Sequence, residues 1–220
     1  MDSSGWGEQF GGIYWQDAYN LSSNYGLSNF NTPNAFKAAA VYSLPFGKGH
    51  QYLSSGAGDA VLGGWQVSTI VVAQSGVPIT MVMDNATPDG ALDGSWYPDL
   101  VGNAKVTNRT RDNWFNQLAF AQPADNTFGT LTRNQPLYGP NLVNCNFSLG
   151  KSFSIPGWEQ GKISIRMDAR NIFNHQSYSL PNNNLNPVAL ATGVPDPSVG
   201  RISGTTVTGR IIQLSARFSF

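Results

Sequence analysis

Apolar and polar residues alternate along several segments of the chain, which is the pattern of a β-strand with one apolar and one polar face. The alternation is clearest over residues 210–220 and 162–173. It also runs over residues 144–155, where Lys151 falls among the apolar positions. The apolar face of the last segment carries Ile212, Leu214, Ala216, Phe218 and Phe220.

Two earlier segments, 36–46 and 65–74, alternate less regularly but still with period two. Helical spacing is poor throughout, because Gly, Pro and Asn interrupt almost every window. The chain holds 24 Gly and 13 Pro in 220 residues. The pattern therefore predicts an all-β chain with about five antiparallel strands.

The connectors between these strands differ greatly in length. Residues 156–161 form a short turn and residues 45–64 a moderate linker, whereas about 78–140 and 175–204 are long and rich in Asn, Asp, Gly and Pro. Followed strand by strand, the long connectors all fall at one end and the shorter ones at the other. Outer-membrane barrels have short periplasmic turns and long extracellular loops. We therefore expect a transmembrane β-barrel segment with its long loops outside the cell.

The charge pattern fits a barrel wall better than a water-soluble surface. Charged residues make up 12% of the chain, where about 25% is usual. The net charge is +0, so no nucleic-acid partner is expected. Lys151 predicts either a position near the membrane interface or a shifted register, because a Lys in mid-membrane costs about 2–4 kcal/mol. The candidate lumen-facing residues are Arg166, Asp168, Arg170, Arg210 and Arg217. The first three share one strand face and serve either ligand or plug contact or a ladder of ion pairs.

A series of short motifs resembles the Oar-like TonB-dependent receptors, and only their order and spacing is specific. They are SLPFGKG at 43–49, GGWQV at 63–67, QSGVP at 74–78, FGTLTRN at 128–134, GP at 139–140, FSLGK at 147–151 and RMDARNIFNH at 166–175.

This resemblance implies a location in the outer membrane of a Gram-negative cell. It also implies a barrel of about 22 strands filled by an N-terminal plug. The expected partners are outer-membrane lipid, the barrel-assembly machinery, the remainder of the barrel with its plug, and TonB through an N-terminal part not found in this sequence. The implied function is TonB-dependent uptake or export of a ligand that the sequence does not identify.

The whole chain, 1–220, is expected to be the C-terminal portion of such a barrel. Known single-chain bacterial barrels have at least eight strands, so about five strands predict an incomplete barrel. The first residues lack the basic and apolar regions of a signal peptide, so a beginning is expected to be missing. Phe220 and Phe218 are the predicted assembly signal. The assembly machinery is expected to recognise the exposed edge of the last strand together with these aromatic side chains.

No enzyme activity, catalytic group, cofactor or metal site is predicted. Gly150-Lys151-Ser152 is only half of a phosphate-binding loop and lies in an alternating strand. Asp84, Asp89 and Asp93 fit a solvated loop better than a calcium site. The alternative function is a soluble or secreted β-sandwich that binds carbohydrate through Trp96, Trp114 and Tyr138.

Overall fold

The chain divides into two compact units in the computed structural model. The strand unit comprises Ala35–Gln74, Leu142–Ser177 and Thr205–Phe220. The loop unit comprises the described parts of Met1–Asn34, Ser75–Asn141 and Tyr178–Gly204. The structure describes residues 19–20, 22, 25–47, 50, 52, 55–83, 97–124, 127–131, 137–155, 157–158 and 161–220.

Strands dominate the described residues, and the two α-helices are short. No helix in these ranges is long and apolar enough to cross a membrane. In chain order the elements are β1 (Ala35–Ser43), α1 (Gly56–Leu62), β2 (Trp65–Gln74), β3 (Val82–Met83), β4 (Asp99–Leu100), a 3-10 turn (Gln117–Ala119), β5 (Phe120–Ala121), β6 (Leu142–Ser154), β7 (Lys162–Arg170), β8 (Asn184–Leu185), α2 (Pro187–Thr192) and β9 (Ile211–Ser219).

The strand unit is one antiparallel sheet of five strands in the order β1-β2-β6-β7-β9. This confirms the predicted all-β class and the predicted strand number. The sheet does not close on itself, since β1 and β9 each have one neighbour in it. An open sheet agrees with the predicted incomplete barrel. The five strands lie in a single sheet, not in the two packed sheets that define a β-sandwich.

The register aligns the apolar positions of all five strands on one side of the sheet. Leu149 pairs with Val67 on one side and with Met167 on the other. Lys151 pairs with Trp65 and Ile165, so it stands on the apolar face in the predicted register. Its ammonium group donates to the carbonyl oxygen of Val61 at 3.1 Å. Lys151 therefore does not signal a register shift.

Two predicted strands extend too far, and local backbone geometry explains both errors. The first ends at Ser43 rather than at residue 46. The connector turns at Gly47, which has a φ of 103°. Residues with a side chain rarely adopt this backbone angle. The fourth ends at Arg170 rather than at residue 173. Asn171 and Asn174 follow with φ of 48° and 52°, and Asn is one of the few residues that tolerate this left-handed region.

The connectors are sorted as predicted. Gln74 pairs with Leu142 and Arg170 with Ile211, so the connections 75–141 and 171–210 leave the same end of the sheet. The connections 44–64 and 155–161 lie at the opposite end.

The loop unit has a hydrophobic core of its own, which strand periodicity does not predict. Segments 75–141 and 178–204 share this core and pair through the parallel strands β3 and β8. Strands β4 and β5 form a second small sheet. The long connections are thus folded rather than extended. The core consists of Ile79, Met81, Met83, Tyr97, Ala104, Phe115, Ala119, Phe120, Leu131, Leu137, Leu185 and Val199.

Candidate functional site

The apolar face of the strand unit exposes large side chains from β1, β6, β7 and β9, and its β2 side chains are half-buried. Leu214, for example, is 78% exposed. A continuous apolar surface of this kind is unfavourable in water and marks a contact with lipid or protein. The apolar face consists of Phe36, Ala38, Ala40, Tyr42, Trp65, Val67, Thr69, Val71, Ala73, Val143, Cys145, Phe147, Leu149, Lys151, Phe153, Ile163, Ile165, Met167, Ala169, Ile212, Leu214, Ala216 and Phe218.

The opposite, polar face carries a hydrogen-bonded cluster across β6 and β7. Arg166 forms an ion pair with Asp168 at 2.8 Å. Ser148, which pairs with Asp168 across the strands, donates its hydroxyl to the same carboxylate. Arg166 also donates to the Ser148 hydroxyl oxygen at 3.2 Å. Because both charged side chains remain partly exposed, the pair contributes little to stability and leaves polar groups available to a partner.

The other predicted lumen-facing residues do not join this cluster. Arg170 lies on the same face at the end of β7, opposite Ile211. Arg217 lies opposite Ser164, towards the other end of the sheet. Arg210 precedes β9 and donates to the carbonyl oxygen of Ile172 at 3.4 Å. The periodicity of the sequence alone placed Arg166, Asp168 and Arg170 on one face of β7. The contact of this group with Ser148 could be found only from the pairing of β6 with β7.

The polar face is least polar on the β1–β2 side. Val41 and Ile70 are exposed there, and Ile211 adds an apolar side chain on β9. Most charged groups of the polar face therefore lie on β7 and β9, and β1 carries one, Lys37. This explains why the alternation of the two early segments is weaker in the sequence.

A cavity of about 370 Å³ lies at the short-connector end of the strand unit. Gly150 contributes no side chain at its centre, and Arg166 flanks it. Sequence reasoning missed this hollow, although small residues alternate there along β6 and β7. Its remaining lining residues include Ser43, His50, Gln66, Ser152 and Ser164.

Aromatic side chains gather at the same end of the sheet. The ring of Phe218 lies 5.5 Å from the ring of Trp158 and 5.9 Å from that of Phe220. All three side chains are substantially exposed. Aromatic girdles at the two membrane interfaces are typical of outer-membrane barrels. The role of Phe218 and Phe220 in assembly stays a prediction.

The loop unit contains a cleft of about 550 Å³ with a largely polar lining. Gln117 and Asp196 face each other there, with the Gln117 amide donating to the Asp196 carbonyl and accepting from its N–H, both at 3.0 Å. Donation from the Asn186 amide, and then from Ser198, holds the pKa of the Asp196 carboxyl below its usual range. Lys105, Asp112 and Asn113 also line this cleft.

Of the aromatic residues in the carbohydrate alternative, Trp114 is partly buried and is not an open stacking platform. The Trp114 indole donates to the carbonyl oxygen of Tyr138 at 2.9 Å and packs against the loop core. The guanidinium of Arg109 lies 5.4 Å from its ring centre. Trp96 lies outside the described residues, as do Asp84, Asp89 and Asp93.

Comparison with known proteins gives one match that covers nearly the entire chain. The family model described as outer membrane beta barrel domain matches residues 1–213. No curated protein and no solved structure matches the chain significantly. The match agrees with the open antiparallel sheet, its apolar face and the sorted connectors. The chain therefore belongs to the outer membrane beta barrel domain family, and its place is the bacterial outer membrane.

Proposed function

We propose that this chain is the C-terminal part of the barrel of a TonB-dependent receptor of the Oar-like type, active in the uptake or export of a ligand. In this proposal the apolar face meets lipid, the polar face lines the lumen, and the loop unit faces the outside of the cell. The observation that carries it is the combination of an open membrane sheet with a folded loop unit joined to one end of its strands.

The open sheet supports a larger barrel. Unpaired backbone groups in lipid cost several kcal/mol each, so an exposed strand edge is not stable there. Strands β1 and β9 each leave one edge without a neighbour in the sheet. Further strands of the same protein would pair with both edges and close the barrel, as they do in long single-chain receptors.

The polar surfaces support a transport role. The Arg166–Asp168 pair and the Gly150 hollow lie on the proposed lumen side, where a plug or a passing ligand would meet them. The cleft of the loop unit would be open to ligands outside the cell. The ordered motifs from residues 43–49 to 166–175 support the Oar-like type.

The proposal is tested with the full-length protein purified from outer membranes in detergent. We expect a monomeric barrel whose electrophoretic mobility changes on heating, and which binds the purified periplasmic domain of TonB. The control is the same protein without its N-terminal residues up to the start of the barrel, which should keep the mobility change and lose TonB binding. Full-length protein that does not bind TonB would refute energy coupling through TonB.

The same preparation tests a second way to close the barrel. The two open edges of one sheet could also pair between several copies of the chain. A purified barrel whose mass equals several copies of the 220-residue chain would favour this self-assembled pore and would refute the single-chain receptor.

A further inference from the structure

The connector between β1 and β2 contains the helix α1, and the end of this helix meets the apolar face of the sheet. The carbonyl oxygen of Val61, in the last turn of α1, accepts two hydrogen bonds. The indole Nε1 of Trp65 donates at 2.9 Å and the ammonium of Lys151 donates at 3.1 Å. Carbonyls in a last helical turn have no partner within the helix, so these side chains complete its end.

Both donors stand on the same side of the sheet. Trp65 and Lys151 are register partners on the apolar face. A helix held by their side chains therefore lies on the apolar side and not on the side of the Arg166–Asp168 pair. The position of α1 therefore differs from that of His50, earlier in the connector, which lines the hollow on the polar face.

The surroundings of Lys151 explain how a charge persists on the apolar face. The residue is 6% exposed. Its ammonium lies 4.7 Å from the ring centre of Phe153 and 5.8 Å from that of Trp65, within the range of cation–π attraction. A Lys on the lipid face costs about 2–4 kcal/mol at the midplane but only about 0–1 near the interface. Lys151 lies near the short-connector end of β6, where that cost is smallest.

The connector is a closed loop whose two ends touch. The N–H of Gly64 donates to the carbonyl oxygen of Phe46 at 3.3 Å. A Cβ on Gly63 would lie 2.8 Å from the Cα of Gly47, so neither position admits a side chain without a shift. This close approach holds α1 near the end of the sheet. Gly47 and Gly63 of the 43–49 and 63–67 motifs thus have a packing role.

The surface that α1 presents outward is apolar. Val61 is 63% exposed and Leu62 is 47% exposed. Tyr52, earlier in the connector, is also exposed. Val61 adjoins the apolar face, because its carbonyl oxygen meets Trp65 and Lys151, so Val61 and Leu62 extend that face beyond the strands. A helix that buries such residues in the headgroup–acyl boundary gains free energy roughly in proportion to the apolar area removed from water.

We infer that α1, within the connector 44–64, is a membrane-interface anchor that lies in the headgroup region of the inner leaflet and inserts Val61 and Leu62 among the phospholipid chains. Lys151 and Trp65 are positioning residues that hold the helix through the Val61 carbonyl. The inference rests on the proposed assignment of the apolar face to lipid, because the occupant follows from continuity with that surface.

The test uses nitroxide spin labels on single cysteines in the full-length protein, with Cys145 replaced by Ser, in vesicles of phosphatidylethanolamine and phosphatidylglycerol. The readout is the ratio of collisions with oxygen, which enriches in lipid, to collisions with a water-soluble nickel chelate. Labels are placed at Leu62, at Leu214 on the apolar face, and at Ser152 on the polar face beside Lys151. We expect ratios at Leu62 and Leu214 several-fold above the ratio at Ser152.

A Leu62 ratio equal to that at Ser152, with Leu214 still in lipid, would overturn the anchor and leave the proposed barrel intact. A water-exposed Leu214 with a lipid-exposed Ser152 would instead overturn the face assignment, and the anchor with it.

Two variants test the role of Lys151. Lys151→Met removes the donor and keeps the length, so we expect the Leu62 ratio to fall several-fold and the label to become more mobile. Lys151→Arg keeps a cationic donor and should retain the ratio. Equal ratios in the Met and Arg variants would overturn the positioning role. The Leu214 label reports in each variant that the barrel has folded.

Discussion

Asn171 closes the turn after β7, and its replacement is expected to be costly. The side chain is almost fully buried, and the backbone is left-handed with φ of 48°. Its amide donates to the carbonyl oxygens of His175 at 3.0 Å and of Thr208 at 3.1 Å. Its oxygen accepts from the N–H of His175 at 2.9 Å. The side chain thereby ties the end of β7 to the segment that leads into β9.

The magnitude follows from these contacts. Each intramolecular hydrogen bond contributes about 0.5–1.5 kcal/mol net, so losing three removes roughly 2–4 kcal/mol. Alanine has a Cβ and no polar side-chain group, so holding it in the left-handed region adds about 1–2 kcal/mol to this cost. We therefore expect Asn171→Ala to lower the free energy of unfolding by about 3–6 kcal/mol. Asn171→Gly should cost about 1–2 kcal/mol less than Asn171→Ala, because glycine tolerates this backbone.

Asn174 provides the matched control. It has the same left-handed backbone, with φ of 52°, but it is exposed. Its side-chain oxygen accepts from the N–H of Arg210 at 3.0 Å. Asn174→Ala therefore loses the same backbone preference and one such bond, and should cost roughly 2–3 kcal/mol.

The assay is urea unfolding of the full-length protein in phospholipid vesicles, followed by tryptophan fluorescence and by electrophoretic mobility. A loss below about 1 kcal/mol in Asn171→Ala, or a loss no larger than that of Asn174→Ala, would refute the assigned network. Equal losses in Asn171→Ala and Asn171→Gly would refute only the contribution assigned to the left-handed backbone and would leave the hydrogen bonds as assigned.

Three further predictions concern sidedness, pH and assembly. A membrane-impermeant label at Val194 should react in intact cells and one at Trp158 should not, and the reverse pattern would invert the topology. Because the folded pKa of Asp196 is lowered, its contribution to stability is fully present above the unfolded pKa of about 3.8 and is lost as the pH falls through the lower folded pKa. The protection of the amides around Gln117 from hydrogen exchange, relative to their intrinsic exchange rate at each pH, should therefore fall as the pH falls through the folded pKa. The Asp196→Asn variant should show a flatter response, and a pH profile unchanged from the wild type in this variant would contradict the assignment. Deleting Phe220, or changing it to Ser, should lower the amount of assembled full-length barrel in outer-membrane fractions without reducing export across the inner membrane, and unchanged levels would show that Phe220 and Phe218 are not an assembly signal.

Sequence alone was sufficient for the strands and their faces. Side-chain alternation is a local property with a period of two, so it survives without knowledge of the partners. The grouping of Arg166, Asp168 and Arg170 on one face of β7 follows from this alone. The lengths of the connectors likewise indicated the two ends of the sheet and the class of protein, since they can be read directly from the chain.

Strand ends were less accurate, because a few backbone angles decide them. The alternation itself ends at Arg170, because Asn171, Ile172 and Phe173 do not continue it, but the pattern does not reveal the left-handed turn at Asn171. The side chain of Asn171 stabilises the turn through His175 nearby and through Thr208, a distant partner that the pattern does not show.

The remaining features depend on tertiary structure. The sequence indicated that Lys151 shares a face with apolar residues. From the sequence alone, however, a lysine at this position could equally mean that the strand register had been assigned wrongly. Its partner is a carbonyl 90 residues away, at the end of a helix too short to predict from periodicity. The core of the loop unit likewise joins two segments separated by β6 and β7. A periodic pattern records which way a side chain points, whereas the group it meets is decided only when distant parts of the chain come together.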